Sequence, residues 1–312
     1  TPWRVVNMHM SDTIGGWCWY DESFDEKTGV LDTPRYVDQG DVTRQLFDNV
    51  DLAGEVQTKI LEINSKTGLY PLYVTYSLFR RRLDEYIKAE CIDKETVSVQ
   101  EEQVVWDDIV ENNMYVICNT PMAKGITRRT LFGFRQVDQK ANIQNVQLIE
   151  RASKDQEGLV KDLKSAGFWK GNSSKQEMKF NAVVGNPPYM LKQDATSDTP
   201  IYHQFMELGF QLSPLATFIT PGRFLFDAGK TPKEFNSKML NDDYFKVVRY
   251  EPDSTKIFDK VDIKGGIAIT MHNTNMKYGR IIRFTSHHEL HTILKKVIEH
   301  KDFESIDKLI YL

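Results

Sequence analysis

The segment Lys179–Gly185 (Lys-Phe-Asn-Ala-Val-Val-Gly) is followed directly by Asn186-Pro187-Pro188-Tyr189. Its short apolar run predicts a buried strand. The two prolines have no backbone N–H to donate to a sheet, so the strand is expected to end at Gly185. A loop that follows such a strand lies at the carboxyl edge of the sheet, where open α/β sheets bind their ligands.

The Asn-Pro-Pro-Tyr sequence has the chemistry to hold a planar amino group. The prolines fix φ twice and leave carbonyl oxygens free to accept hydrogen bonds, and the amide of Asn186 both accepts and donates. Two oxygens that accept both N–H bonds of a conjugated NH2 group make its lone pair available for attack on a methyl donor. Tyr189 adds a flat face that can stack on a planar group. These residues indicate a site that orients and polarises its substrate without a strong general base.

A strand, a turn and a helix are predicted upstream of this loop. The strand is Lys59–Ile63, the turn is Asn64–Gly68, and the helix begins at Leu69. One face of this helix is apolar, with Leu72, Tyr76 and Phe79. The helix is predicted to end at Arg80-Arg81-Arg82, where cations suit the helix dipole. A strand, a glycine-containing turn and a helix, in that order, open a nucleotide-binding α/β unit.

The rest of the chain alternates predicted strands and helices. The strands are 114–118, 145–149, 216–220, 245–250 and 266–271, and the helices are 122–132, 201–212 and 233–240. The last two strands are consecutive, which predicts an α/β fold with a mostly parallel mixed sheet, an antiparallel edge, and helices on both faces. Residues 1–40 are predicted to be irregular, a helix is predicted to begin at Asp41, and residues 151–178 are predicted to form a surface helix and loop.

Composition excludes several classes of protein. Of the 312 residues, 40% are hydrophobic, which excludes overall disorder, and no apolar run approaches the roughly 18–20 residues of a membrane helix. Cys18, Cys91 and Cys118 form neither a disulfide framework nor a metal-binding spacing, which favours a reducing cytoplasm and no metal site. The net charge is −4. Any contact with nucleic acid is therefore expected to be local, or to come from another part of a longer polypeptide.

Asn186-Pro187-Pro188-Tyr189 resembles the catalytic motif Asn/Asp/Ser-Pro-Pro-Tyr/Phe/Trp of the S-adenosylmethionine-dependent amino methyltransferases. From about Val37 to Asn273, the order of elements is similar to that of the gamma-class N6-adenine DNA methyltransferases of restriction–modification systems, especially the large fused enzymes. The resemblance implies a Rossmann-like methyltransferase fold with Asn186, Pro187, Pro188 and Tyr189 as catalytic residues. Asn186 and the Pro187 carbonyl would hold the target amino group, and Tyr189 would stack on a flipped base.

The same resemblance implies a binding site for S-adenosylmethionine. Leu61–Gly68 resembles the family's acidic-Pro-x-x-Gly-x-Gly loop, and Asp41-Val42-Thr43 resembles the upstream motif that packs over the methionine end of the cofactor. The implied cofactor-binding residues are Thr43, Glu62, Asn64, Ser65, Gly68 and Asn119. The sequence departs from the family pattern at Lys66, which replaces the first glycine of the loop, and at Ile63, which replaces its proline. Asn119 lies where the family has an acidic ribose ligand, and an amide binds a hydroxyl less strongly than a carboxylate does.

These inferences divide the chain into three regions and leave three functions open. Residues 1–55 are expected to be a flank that packs over the cofactor, 56–275 the methyltransferase domain, and 276–312 the start of a target-recognition or linker module. The favoured function is methyl transfer to N6 of a flipped adenine in duplex DNA, in the bacterial cytoplasm, with the recognition domain elsewhere in the full-length chain and with no membrane partner. The alternatives are methylation of a protein glutamine or of RNA, and a non-catalytic module of the same fold with a degenerate cofactor loop.

Overall fold

A seven-stranded sheet forms the centre of the protein. The structure is a computed structural model, which describes residues 1–16, 18–21, 35–38, 58–135, 141–191, 199–259, 261–298, 300 and 303–304. Its strands are β1 (Cys18–Asp21), β2 (Arg35–Asp38), β3 (Ile60–Ser65), β4 (Met114–Cys118), β5 (Asn142–Asn145), β6 (Ala182–Gly185), β7 (Met190–Leu191), β8 (Thr199–Pro200), β9 (Leu215–Pro221), β10 (Phe245–Glu251) and β11 (Ile267–Asn273). The central sheet has the order β10-β11-β9-β6-β3-β4-β5, and the pairs β1–β2 and β7–β8 lie outside it. Its neighbouring strands are parallel except at β11, which is antiparallel to both β10 and β9.

Helices cover both faces of this sheet. They are α1 (Trp3–Thr13), α2 (Leu69–Glu90), α3 (Val99–Asn112), α4 (Pro121–Phe132), α5 (Leu148–Lys154), α6 (Gln156–Leu163), α7 (Ala166–Lys170), α8 (Tyr202–Leu212), α9 (Lys233–Leu240) and α10 (His288–Ile298). Local sequence explains several of their ends. Ser98 and Glu101 form a capping box at the start of α3, and Thr120 caps α4, which has Pro121 at its first turn. Among the described helices, none combines the length and the apolar character needed to cross a membrane.

The hydrophobic core lies on both sides of the sheet. Successive side chains of β3 alternate between the two sides, so Leu61 and Ile63 belong to one cluster and Ile60 to the other. The first cluster includes residues of α5, α6 and α8, among them Leu148, Leu159 and Phe205. The second includes residues of α1, α2 and α3, among them Met10, Val74 and Ile109. Because each face of the sheet is buried, its central strands are apolar on both sides, as the sequence indicates for Val183 and Val184.

Most of the predicted elements are confirmed. The strand Met114–Cys118 and the helix Lys233–Leu240 have the bounds that the sequence predicts. The observed bounds of the strands at 216–220, 245–250 and 266–271 and of the helices at 122–132 and 201–212 differ from the prediction by no more than two residues. The helix predicted to begin at Asp41 lies outside the described residues.

Two predictions about helices are wrong. Residues 1–40 are not irregular throughout, because Trp3–Thr13 forms α1, whose Val6 and Met10 lie one turn apart and are buried in the core. Helix α2 does not end at the three arginines but continues to Glu90. Arg82 pairs there with Asp108 of α3, and Cys91 ends the helix in the left-handed conformation, without the glycine that usually signals such an end.

The region between β4 and β6 also differs from its prediction. The third strand is Asn142–Asn145 rather than 145–149, and Leu148 begins a helix and lies in the core. A short apolar run fits a buried strand and a buried helix equally well, which explains the error. Residues 151–178 are not a surface segment alone, because Leu159, Leu163 and Trp169 are buried beneath α8 and the sheet.

Candidate active site

The loop Asn186–Tyr189, here called the β6 loop, leaves the carboxyl end of β6 beside β3. In the parallel pairing of these strands Glu62 lies opposite Val184. A Cβ atom at Gly185 would lie 2.6 Å from the main-chain oxygen of Ile63, closer than such atoms pack. Glycine therefore lets the two strand ends approach each other, so that Asn64, near the end of β3, becomes a neighbour of Asn186, which follows β6.

Asn64 connects this loop to the carboxyl end of β3. Its side-chain Nδ2 donates a hydrogen bond of 3.1 Å to the main-chain oxygen of Asn186. Asn64 is 5% exposed and has a φ of 72°, in the left-handed region. The strand extends two residues into the predicted turn, and we call residues Asn64–Gly68, the last two residues of β3 and the three that follow it, the β3 loop. Its first residue thus contacts the Asn-Pro-Pro-Tyr sequence directly, a contact that the sequence analysis did not predict.

A small cavity of about 20 Å³ brings several of the predicted residues together. It is lined by Thr1, Glu62, Asn64, Lys66, Thr67, Gly68, Leu69, Tyr70 and Asn186. The side-chain Nδ2 of Asn186 donates to the hydroxyl of Thr1 at 2.8 Å, so its Oδ1 is left to accept. Thr1 and Tyr70 were not predicted from the sequence, because nothing local to either residue signals a contact with a loop more than 100 residues away.

Glu62 is the buried carboxyl group of this cavity, which we call the Glu62 cavity. It is 3% exposed, and its Oε2 has no hydrogen-bond partner among the described residues. Burial raises its pKa to about 8, although a hydrogen bond from Ser65 and the nearby ammonium of Lys66 oppose that rise. An unpaired carboxyl oxygen in a buried place is costly unless a donor meets it, so Glu62 is suited to bind a cationic N–H group of a ligand.

Ser65 and Gly68 attach the β3 loop to α4. The Ser65 hydroxyl lies 3.0 Å from that of Thr127, within hydrogen-bond distance. Gly68 has a φ of 76°, and a Cβ there would lie 3.0 Å from Thr130 and 3.1 Å from the Cα of Thr127. The missing side chain of Gly68 therefore serves the close packing of the loop against α4, while its backbone lines the cavity.

Tyr189 is held at the boundary of the core. Its main-chain oxygen accepts a hydrogen bond of 3.1 Å from the amide of Ile201. The ring is half-buried against the core, and its hydroxyl is buried without a hydrogen-bond partner among the described residues. Burial raises the pKa of this phenol. The β6 loop is thus fixed at Asn186 by Asn64 and at Tyr189 by Ile201, with the two prolines between them.

Asn119 lies in a second, larger cavity at the same edge of the sheet. This cavity has a volume of about 490 Å³ and is lined by Asn119, Gln147, Ile149, Glu150, Ser153, Lys154 and Leu191. The side-chain Oδ1 of Asn119 accepts a hydrogen bond of 3.3 Å from the amide of Ile149, in the first turn of α5. The structure therefore places Asn119 beside a cleft but not among the residues that line the Glu62 cavity. Thr43 and the neighbouring Asp41 and Val42 lie outside the described residues.

A buried polar chain holds Tyr70 in place. The hydroxyl of Thr217 donates to the main-chain oxygen of Thr270 at 3.0 Å, so it accepts from Nε2–H of His9 at 2.8 Å. Nδ1 of His9 is then unprotonated and accepts from the Tyr70 hydroxyl, also at 2.8 Å. Burial lowers the pKa of His9 to about 3, which agrees with a neutral ring. These bonds connect α1 and α2 to the sheet directly beneath the cavity.

The arrangement of the sheet and its helices defines the fold class of this protein. Its strand order, with a reversed β11 between β10 and β9, and its helices on both faces are those of the Rossmann-like S-adenosylmethionine-dependent methyltransferases, as the sequence predicts. Residues 112–258, which include the Asn-Pro-Pro-Tyr loop, match the model of the Eco57I restriction-modification methylase family.

A curated protein is similar in sequence to part of this chain. The chain is 29% identical over 103 residues to a protein of Mycoplasma pneumoniae that bears the name uncharacterized adenine-specific methylase. The match covers 31% of this chain and 24% of the relative, so the chain spans about a quarter of that protein's length.

Solved structures with a similar arrangement include restriction enzymes. The ATP-dependent Type ISP restriction-modification enzyme LlaBIII bound to DNA superposes with a TM-score of 0.45 at 13% identity, covering 90% of this chain and 19% of that chain. A DrdV–DNA complex gives 0.47 at 13% identity, covering 88% and 26%. A putative methyltransferase complexed with S-adenosylhomocysteine gives 0.34 at 10% identity, covering 69% and 44%.

A second family model, the Tudor-knot described as an RNA binding activity-knot of a chromodomain, matches residues 53–94. In the structure, the described part of this range forms β3, the β3 loop, α2 and the start of a 3-10 turn at Lys94. β3 lies in the middle of the central sheet. This segment is therefore an integral part of the α/β domain rather than a separate module.

Proposed function

We propose that this chain carries the catalytic domain of a DNA methyltransferase that transfers a methyl group from S-adenosylmethionine to the N6 amino group of a flipped adenine. The observation that carries the proposal is the juxtaposition of Glu62, a buried carboxyl group with an unpaired oxygen, and Asn186 of the Asn-Pro-Pro-Tyr loop around one cavity. The methylase family and the adenine-specific relative support the choice of adenine in DNA.

The residues present fit the cofactor. S-adenosylmethionine, when bound, supplies an electrophilic methyl group on a positively charged sulfur. Glu62 would accept hydrogen bonds from the ammonium of its methionine end, which meets the need of the unpaired Oε2. Lys66, exposed at the rim of the same cavity, would attract its carboxylate. Asn119 lines the larger cavity and would lie beside the nucleoside end.

The β6 loop would hold the base that receives the methyl group. Because Nδ2 of Asn186 donates to Thr1, Oδ1 is the atom that would accept one N–H of the amino group. The carbonyl of Pro187 would accept the second. Accepting both hydrogens turns the nitrogen lone pair toward the methyl donor, so the loop would act by orientation and polarisation. The half-buried ring of Tyr189 would stack on an adenine that has left the duplex.

The partner of this site would be duplex DNA in a bacterial cytoplasm. Enzymes that modify a base inside a duplex must extrude it, and sequence is read by contacts to base edges in the grooves. With a net charge of −4, the chain has no general excess of cations for DNA. We therefore propose that residues 1–55, 56–275 and 276–312 are respectively a flank, the catalytic domain and the beginning of a recognition or linker module, and that most of the recognition contacts lie elsewhere in a longer protein.

Calorimetric titration with S-adenosylmethionine and S-adenosylhomocysteine tests the cofactor site, and transfer of a labelled methyl group to long unmethylated duplex DNA tests the reaction. We expect micromolar binding of both ligands and N6-methyladenine in the product. Binding with transfer to a protein glutamine or to RNA, but not to DNA, would replace the substrate. A folded protein that binds neither ligand at millimolar concentration would contradict the enzyme and favour a non-catalytic module, which Lys66 in the β3 loop would then explain.

A further inference from the structure

We propose that Asn64 is a positioning residue, which couples the β3 loop to the β6 loop by holding the main chain of Asn186. This inference rests on the proposed function, because it assigns Asn64 a task in presenting the target amino group. The family resemblance of the sequence instead implies that Asn64 binds the cofactor, so the two roles make different predictions for the same side chain.

The strand pairing explains why the two residues meet. Glu62 pairs with Val184, so two further residues along each parallel strand bring Asn64 to Asn186. Gly185 has no side chain to keep these ends apart. On its other side β3 pairs Ile63 with Ile117 and Ser65 with Cys118, which leaves Asn64 as an extra residue in the ladder. Such a bulge re-aims a side chain, here toward β6.

The backbone of Asn64 shows why an asparagine suits this position. Its φ of 72° lies in a region that glycine adopts freely and that asparagine adopts more readily than most other residues do. A glycine would satisfy the conformation alone. Asparagine adds a carboxamide, whose Nδ2 reaches the Asn186 oxygen at 3.1 Å. The side chain therefore makes a hydrogen bond that the left-handed turn itself does not require.

These contacts hold Asn186 at both its main chain and its side chain. The main-chain oxygen of Asn186 is occupied by Asn64, while its side-chain Nδ2 is occupied by Thr1. The orientation of Oδ1, which would accept the target N–H, is thereby fixed from both ends of the residue. Because Glu62 is two residues before Asn64, this contact and the pairing of β3 with β6 would together place a cofactor held by Glu62 relative to an amino group held by Asn186.

Asn181 offers a matched control. Its side-chain Oδ1 accepts a hydrogen bond of 2.9 Å from the amide of Lys59, so it also links the segments of β3 and β6, but at the opposite end of the strands. Replacement of Asn181 by glycine removes a cross-strand side-chain contact of similar length that lies away from the cavity. Any effect of Asn64→Gly on transfer that Asn181→Gly does not share is therefore specific to the site.

The experiment compares Asn64→Gly, Asn64→Asp and Asn181→Gly with the wild-type chain. Glycine keeps the left-handed backbone and removes the carboxamide, and aspartate places an acceptor against the Asn186 oxygen. We expect kcat for transfer to duplex DNA to fall at least tenfold in both Asn64 variants, with the Kd for S-adenosylmethionine within twofold of wild type. Asn181→Gly should retain kcat. A tenfold weaker Kd with unchanged kcat would overturn the proposal in favour of a cofactor ligand.

Hydrogen–deuterium exchange on the ligand-free protein provides a readout that needs no activity. The amide of Ile201, which donates to Tyr189, and the amides of 189–191 should exchange faster in Asn64→Gly than in Asn181→Gly. Equal exchange in these two variants would show that Asn64 does not hold the loop. If the wild-type chain neither binds the cofactor nor transfers a methyl group, the proposed function fails, whereas the exchange result still decides whether the contact positions the β6 loop.

Discussion

Tyr70 donates its hydroxyl hydrogen to Nδ1 of His9 across 2.8 Å, inside the core and directly beneath the Glu62 cavity. The direction of this bond follows from its continuation, in which Nε2–H of His9 donates to Thr217 and Thr217 donates to Thr270. A proton on Nδ1 would reverse this bond, because Nδ1–H would then donate to the Tyr70 oxygen, and it would place a positive charge in the core, where burial disfavours it. Burial therefore favours a neutral His9 at the point where α1, α2 and the sheet are joined.

The buried, neutral His9 predicts that the protein loses stability in acid. Burial lowers the pKa of His9 to about 3 in the folded protein, against 6.5 for an ordinary histidine. Between these values the unfolded chain binds a proton that the folded chain does not, so the free energy of unfolding falls as the pH is lowered from 6.5 toward 3, by up to about 1.4 kcal/mol per pH unit. Urea unfolding at a series of pH values measures this dependence. Between pH 3 and 6.5, the free energy of unfolding should change less with pH in His9→Gln, which keeps polar atoms but does not titrate. The same pH dependence in both proteins would contradict the neutral buried ring.

The raised pKa of Glu62 predicts that cofactor binding releases a proton. With a pKa raised to about 8 by burial, this carboxyl is mostly protonated in the free protein at pH 7. A bound ammonium group would favour the ionised form, so close to one proton should be released per cofactor bound. Calorimetry in buffers of different ionisation enthalpy measures this number directly. Glu62→Gln is the control, because it cannot ionise, and it should bind at least tenfold more weakly with no proton release. Binding by the wild type without any buffer dependence would place the ammonium elsewhere.

The elements of the sheet were predictable because their signals are local. An apolar run such as that of β4, or a proline after a strand as at Pro187, acts within a few residues. The contacts that build the site are not local. His9 meets Thr217 across 208 positions, and Asn64 and Thr1 reach Asn186 across 122 and 185. No periodicity or spacing carries that information.

The same distinction between local signals and distant contacts applies to the predicted site residues. The Asn-Pro-Pro-Tyr loop and Glu62 have recognisable residue types at the ends of predicted strands, and the structure brings Glu62, Asn64, Gly68 and Asn186 to one cavity. Sequence alone did not separate residues that face a ligand from those that support the loop. Gly68 packs against α4 and Asn64 holds Asn186 because of the way neighbouring elements approach them, which depends on the whole sheet.

Asn186→Ala should abolish most of the transfer without affecting cofactor binding. The substitution removes Oδ1, one of the two proposed acceptors for the target amino group, and keeps the main-chain oxygen that Asn64 contacts. Loss of a single preorganised hydrogen-bonding group of this kind reduces kcat by roughly 100-fold or more. Single-turnover kinetics and calorimetry separate the two effects. Asn186→Asp, which retains an acceptor oxygen, should be less impaired. Unchanged turnover in the alanine variant would remove Asn186 from the mechanism.

Lys66→Gly should weaken S-adenosylmethionine binding several-fold. Lys66 is exposed at the rim of the cavity that Glu62 lines, where its charge can attract the carboxylate of the cofactor. Such a contact is partly screened by solvent, so a modest effect that shrinks at high salt is expected. Lys66→Met, which keeps most of the side chain's length, should weaken binding to a similar extent. Tighter binding in the glycine variant would mean that the lysine crowds the site instead, and an unchanged Kd would place the cofactor away from this loop.

Two glycine-to-alanine substitutions should change stability in opposite directions. At Gly185 the added Cβ would lie 2.6 Å from the Ile63 carbonyl oxygen, so β6 would have to move away from β3, at a cost of about 1–3 kcal/mol in the free energy of unfolding. At Gly125, inside helix α4, an added Cβ would meet nothing within 4 Å, and alanine should stabilise the protein by about 0.5–1 kcal/mol because it has the higher helix propensity. Urea unfolding measures both changes. Because Gly185 also brings Asn64 to Asn186, its alanine variant should lose methyl transfer even at temperatures where it remains folded, whereas Gly125→Ala should keep full activity. A Gly185→Ala protein with wild-type stability and transfer would show that the close approach of the two strand ends is not required.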